Sequence, residues 1–276
     1  MKKFIGLSLS LLVSAMSTVA VAEEPILVIG ASYADGSTPF NDNLDAPLGG
    51  TSVGLGSYLS LGNALARERS LSGHVINEAQ GGATTFDRQA CNPSCTPDVM
   101  WQGYDKQFTK ALARVTVRDP GTGDITILNS KYVVITLSND CLHSDAFGIP
   151  QNQTQQCTAD DINDHVDRLV ALGQRILDTG LTPIYLDAPT YDDLDLPLAE
   201  SLFGLEWMID QPTYEALGTV RHDRIEVELP EAVQLNAWKG FEHMGDGLHP
   251  TDKSTRKAAK RIARFIGKND RQGGGE

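Results

Sequence analysis

Ile26-Leu27-Val28-Ile29 and Val133-Val134-Ile135 are strand-length runs without a polar residue. A strand with one wet face alternates polar and apolar side chains, so a short run that is apolar at every position predicts a strand covered on both faces. Each run ends in loop-forming residues: Gly30-Ala31-Ser32 after the first, Ser138-Asn139-Asp140 after the second. Strands covered twice, with helical patterns between them, argue for a mostly parallel sheet in a three-layer α/β/α sandwich.

The rest of the chain fits that scheme. Strands are predicted over 25–30, 74–77, 131–137, 181–187 and, from alternation alone, 224–229. Helices are predicted over 56–69, 99–117 and 251–266, with helical stretches inside 197–218 and a frayed tail over 271–276. The clearest helix carries Ile162, Val166, Leu169, Val170, Gly173, Ile176 and Leu177 on one face, with Thr158 as N-cap and Gly180 as stop. Long loops over 37–55, 84–97 and 140–157 follow strands one, two and three. They belong at the carboxyl edge of the sheet, where sites of such folds assemble.

Residues 1–22 read as a leader rather than as fold. A basic Met1-Lys2-Lys3, an apolar stretch interrupted by Ser8, Ser10, Ser14 and Ser17, and Ala20-Val21-Ala22 match a secretory signal with cleavage before Glu23. No later segment has the apolar length of a transmembrane helix. The expected product is one domain over 23–276, exported to the periplasm or beyond as a monomer. The formal charge of −13 becomes −15 without Lys2 and Lys3, which argues against nucleic-acid binding. The last helix has a basic face (Lys253, Arg256, Lys257, Lys260, Arg261, Arg264), read as the wet side of a sheet-covering helix. Four cysteines in an exported chain predict two disulfides. Three pairings are open, and local pairing of Cys91 with Cys95 and of Cys141 with Cys157 would staple one loop each. Zinc at Cys91-x3-Cys95 is the competing reading.

Chemistry concentrates at the loop ends. Ser32 follows strand one. Asp246 precedes His249 by three residues, a spacing that lets the carboxylate reach Nδ1 and leave Nε2 as a base. Gly82, in Asn77-Glu78-Ala79-Gln80-Gly81-Gly82, and Asn139 can offer an uncrowded backbone N–H and a side-chain amide to a developing oxyanion. A nucleophile, a base with its acid, and oxyanion donors make up an acyl-transfer site. His243, Asp246 and His249 at three-residue intervals could imitate a metal site, but Gly245 and Gly247 favour a loop.

These residues resemble the SGNH/GDSL hydrolases, named for a Ser, Gly, Asn and His in four sequence blocks. Ser32, Gly82 (with Asn77 five residues before it), Asn139, and the Asp246–His249 pair match the four blocks, and spacing selects Gly82 over Gly81. The resemblance covers nearly all of the mature chain. It implies a flavodoxin-like sandwich and an ester hydrolase that needs no cofactor or metal. Ser32, Asp246 and His249 would be its triad, and Ser32, Gly82 and Asn139 its oxyanion hole. The substrate would be a small-molecule or polymer-borne ester. Ala31 stands where the family name has Asp, and Ser138 where Gly is common. A non-catalytic module binding glycan or an envelope partner is the alternative, and those two positions are its only support. The absence of G-x-S-x-G argues against an α/β-hydrolase elbow.

Overall fold

The computed structural model describes residues 25–35, 59–71, 74–91, 95–127, 130–142, 157–203 and 209–273. In chain order the elements are β1 (Ile26–Ile29), α1 (Ser32–Asp35), α2 (Leu61–Leu65), β2 (Val75–Asn77), β3 (Arg88–Cys91), β4 (Cys95–Trp101), α3 (Tyr104–Val115), β5 (Thr116–Arg118), β6 (Ile125–Ile127), β7 (Tyr132–Ile135), α4 (Ala159–Asp178), β8 (Thr182–Leu186), α5 (Leu196–Phe203), α6 (Gln211–Glu228), β9 (Val233–Leu235) and α7 (Asp252–Gly273). Five strands form the central sheet in the order β2-β1-β7-β8-β9. Every pairing within it is parallel. Counting sheet strands alone, the order is 2-1-3-4-5, which is flavodoxin-like.

Alternate side chains of each strand feed two cores. Ile26, Val28 and Val134 join Leu61, Leu65, Ile262 and Ile266, so α2 and α7 cover one face. Leu27, Ile29, Val133 and Ile135 join Phe108, Leu169, Ile176 and Ile225, so α3, α4 and α6 cover the other. This double cover is why the runs lack polar alternation. Each fully buried Leu or Ile in them contributes about 1.5–3 kcal/mol. α4 begins as expected. Thr158 Oγ1 accepts from Asp161 N, and the Asp161 carboxylate accepts from Thr158 N at 2.8 Å. Gly180 follows the helix at φ 79°.

Four expectations need correction. Residues 224–229 are not a strand. They are the last turns of α6, where Arg221, Ile225 and Leu229, four apart, face inward and Val227 is 79 % exposed. The Ile-Glu-Val-Glu-Leu alternation fits a strand and a helix end equally, and the Asp210 cap on Thr213 N decides for the helix. The last sheet strand is β9, three residues long. Residues 99–117 hold the end of β4, then α3, then β5, which pairs with β6 around the Asp119–Asp124 turn. The loop expected over 84–97 contains the β3–β4 hairpin, in which Cys91 and Cys95 are Cα partners. Their side-chain pairing lies outside the described residues, as do the leader and the 37–55 loop. Finally, the 56–69 helix is only α2 among the described residues, because Ser60 caps it through Asn63 N, and a 3-10 turn follows at Arg69–Leu71.

Gly30, between β1 and Ser32, has φ 148°, and a Cβ there would meet Thr136 Oγ1 at 1.9 Å. Gly30→Ala should therefore cost more than about 3 kcal/mol, strain and overlap together. Adding Thr136→Ala should return part of that loss. Urea midpoints of the two single variants and the double variant measure it.

Candidate active site

Ser32 opens the single turn α1, immediately beyond β1. Gly30 N donates to Gln107 Oε1 at 2.8 Å, and Gln107 Nε2 donates to Gln102 O at 3.0 Å. A fully buried glutamine of α3 thus fixes the backbone two residues before Ser32. Next to Ser32, Tyr33 OH donates to Leu248 O at 2.7 Å, and its ring packs against Trp238, Phe241 and His249. The serine turn is in this way seated on the loop that carries the histidine.

That loop is organised by one carboxylate. Asp246 Oδ1 accepts from Leu248 N at 3.0 Å and His249 N at 2.9 Å, which closes the turn. Asp246 Oδ2 lies 2.6 Å from His249 Nδ1. His249 Nε2 is 3.1 Å from Ser32 Oγ. Asp246 is fully buried, His249 is 3 % exposed and Ser32 7 %. Burial alone would raise the Asp246 carboxyl. The hydrogen bond and charge of His249 and the two backbone donors outweigh it and hold the group below the usual carboxylate range. An ionised carboxylate only accepts, so Nδ1 carries the hydrogen, and in the neutral ring that leaves Nε2 as the acceptor facing Ser32 Oγ. His243 has a different employment: its Nδ1 lies 2.6 Å from Met244 O. Among the described residues no group of three or more potential ligands could hold a metal ion.

The loops after β2 and β7 meet beside Ser32. Ala83 N donates to Gln80 O at 3.0 Å, and Gly82 sits third in that turn at φ 80°, a type II position that favours glycine. Gly81 N is held by Asp35 Oδ2 at 2.9 Å, and Asn77 Nδ2 by Ala34 O at 2.9 Å, so both ends of the loop are tied to α1. Asn139 donates twice to Ala83 O, from its backbone N at 3.0 Å and from Nδ2 at 3.1 Å. Ser32, Gly82 and Asn139 are thereby gathered at one edge.

Sequence reasoning missed what braces this edge. Asp140 accepts from Thr85 N at 2.8 Å, Thr85 Oγ1 at 2.6 Å and Arg168 Nη2 at 3.2 Å, with His165 Nδ1 at 3.5 Å. Burial raises this carboxyl, but His165 and the two Thr85 donors overcome that and drive it well below the usual range. One buried charge therefore ties the Gly82 loop, the Asn139 loop and α4 together. The next residue, Cys141, at φ 62°, is disulfide-bonded to Cys157 ahead of α4. Two signals were in the sequence: an Asp directly after Asn139, and His165 with Arg168 three residues apart on a helix. Gln107 also left one, as a polar residue on the buried stripe of Tyr104, Phe108 and Ala111.

The profile of the GDSL-like lipase/acylhydrolase family matches residues 26–262. The chain belongs to that family. As a GDSL-like protein it is a carboxylic ester hydrolase. Its fold is shared with solved structures of low identity. One is a carbohydrate acetylesterase from Sinorhizobium meliloti, with 16 % identity, a TM-score of 0.56, and coverage of 88 % of this chain and 98 % of that one. A second carbohydrate acetylesterase family member from the same organism has 15 % identity, a TM-score of 0.55, and coverage of 88 % and 97 %. An arylesterase structure from Agrobacterium tumefaciens, so described on a provisional basis, has 15 % identity, a TM-score of 0.52, and coverage of 88 % and 98 %. A sequence search of curated proteins finds no match. Among the described residues of this GDSL-like chain, no helix is long and apolar enough to cross a membrane.

The brace makes stability depend on acid. A carboxyl held low in the folded state contributes stability that is complete above its unfolded value, about 3.9, and is lost as pH falls below it. Asp140→Asn should cost roughly 2–3 kcal/mol of stability at pH 7 for the donors it misaligns, read as a lower urea midpoint. It should also flatten the decline of stability between about pH 4 and pH 2 relative to wild type.

Proposed function

We propose that the chain is an exported serine ester hydrolase with Ser32 as nucleophile. The observation that carries this reading is the unbroken buried line from Asp246 through His249 to Ser32 Oγ, at 2.6 Å and 3.1 Å. Ser32 Oγ attacks the ester carbonyl carbon while its proton passes to His249 Nε2. Asp246 keeps the imidazole in the right tautomer and offsets the imidazolium charge. The carbonyl oxygen, now negative, is received by the N–H groups of Ser32 and Gly82 and by the Asn139 amide. Collapse expels the alkoxide, which takes the proton from His249, and leaves an acyl ester on Ser32. Water, deprotonated by His249, attacks that ester. The carboxylic acid leaves and Ser32 regains its proton.

No metal or organic cofactor takes part in these steps. Residues 1–22 direct export, the mature domain runs from Glu23, and the chain works as a monomer on a small-molecule or polymer-borne ester, without nucleic acid. The Cys141–Cys157 disulfide supports an oxidising compartment.

Ser32→Ala should keep the cooperative unfolding of the parent and lose ester turnover to the pocket's own assistance, roughly 10³–10⁴ over water. Faster residual turnover would remove Ser32 from this role, and a folded wild type that hydrolyses no ester would favour the binding module. Asn139→Ala should lower kcat about 10²–10³-fold with little change in KM, since its amide is needed where charge develops. A variant that melts early yet turns over normally would leave Asn139 a brace alone. Intact mass of protein recovered from a bacterial periplasm or medium should begin at Glu23.

A further inference from the structure

Two cavities lie back to back at the carboxyl edge. The smaller, about 20 Å³, is lined by Ser32 and Asn139 and by the apolar side chains of Leu137, Leu142, Leu194, Leu196, Tyr214 and Leu248. The larger, about 580 Å³, lies between the loop after β8 and α6, lined by Pro189, Tyr191 and Leu217 and also by the charged Asp187, Glu215 and Arg221. Among the described residues only Leu137 and Tyr214 line both. Tyr214 is held in place as a partition. Its hydroxyl donates to Pro189 O at 2.8 Å, and its ring meets the Tyr191 ring edge-on at 5.7 Å between centroids.

Chemistry says which half of an ester the small cleft receives. The departing alkoxide takes its proton from His249, so the alcohol half lies against that ring. The acyl half stays bonded to Ser32. The cleft is lined by Ser32 and Asn139 but not by His249, which puts it on the acyl side. A void needs about 10–15 Å³ to hold one water-sized group, so this one admits a methyl or ethyl group. The walls are mainly apolar, with the Ser138 hydroxyl among them, so they suit such a group and offer a charged one no partner of opposite charge.

We propose that Tyr214 and Leu137 are the specificity-determining partition of the site: they limit the acyl group to about two or three carbons and shut a longer chain out of the 580 Å³ cavity behind them. The substrate class is then short-acyl esters, acetyl above all. This rests on the Ser32 ester hydrolase reading.

The test is kcat/KM on p-nitrophenyl acetate, butyrate, hexanoate and octanoate, counting only turnover in excess of Ser32→Ala. Wild type should lose about tenfold or more between acetate and hexanoate. Tyr214→Ala and Leu137→Ala should each raise the hexanoate-to-acetate ratio, Tyr214→Ala by about tenfold or more, because the two cavities then join. Tyr214→Phe keeps the ring and should keep the wild-type ratio. If Tyr214→Ala fails to unfold cooperatively, Tyr214→Leu and Leu137→Ala provide the same comparison. A wild type that cleaves hexanoate as well as acetate overturns the proposal, and so do folded, active Tyr214 and Leu137 variants with an unchanged ratio. Absence of any Ser32-dependent hydrolysis is a different result: it overturns the esterase reading, and the partition falls with it.

Discussion

The site depends on how the chain leaves β1 and β7. These strands are neighbours in the sheet, yet the chain after β1 runs to α1 and α2 on one face and the chain after β7 to α4 on the other. Loops that part in this way leave a crevice at the carboxyl ends, the place where open parallel sheets bind ligands. Ser32 lies on one lip and Asn139 on the other. The β2 loop, with Gly82, comes alongside because β2 flanks β1. The histidine loop closes the crevice from above, since α7 covers the same face as α2 and the chain entering α7 passes over α1.

Two buried carboxylates hold this arrangement. Asp246 gathers three donors in the histidine loop, and Asp140 gathers three from the Gly82 loop and α4. A buried charge stripped of its partners costs several kcal/mol, so movement of either loop away from Ser32 is penalised strongly. Groups meant for a developing charge act best when they need not reorganise. In this chain the same hydrogen bonds that satisfy the carboxylates keep the imidazole and the Asn139 loop in place.

The sheet was legible because β1 and β7 are buried on both faces and bear it in every residue. α4 was legible because its cap, its stripe and its stop agree. β9 was not: three half-buried residues are below what periodicity resolves, while the neighbouring Ile-Glu-Val-Glu-Leu segment mimicked a strand although Arg221, Ile225 and Leu229 make a helical stripe. The β3–β4 and β5–β6 hairpins are held by backbone hydrogen bonds, which leave little mark on side-chain pattern. Ser32 and Asn139 stood out by residue type after apolar strands, Asp246 and His249 by their three-residue spacing, and the fold brings them within hydrogen-bonding reach of one another or of a shared loop. Asp140, Gln107 and the Tyr214–Leu137 partition act through residues distant in the chain, as Gln107 with Gly30, 77 positions away, and Asp140 with Thr85, 55 away. Such pairs exist only after the sheet has formed.

Activation of Ser32 by the buried His249–Asp246 pair would leave a chemical signature. Reaction of the folded protein with a fluorophosphonate, followed by peptide mapping, tests it most directly. One phosphonyl group per chain is expected, carried on Ser32, with labelling slowed strongly in His249→Ala. A folded protein that takes no label, or takes it on another residue, would contradict it.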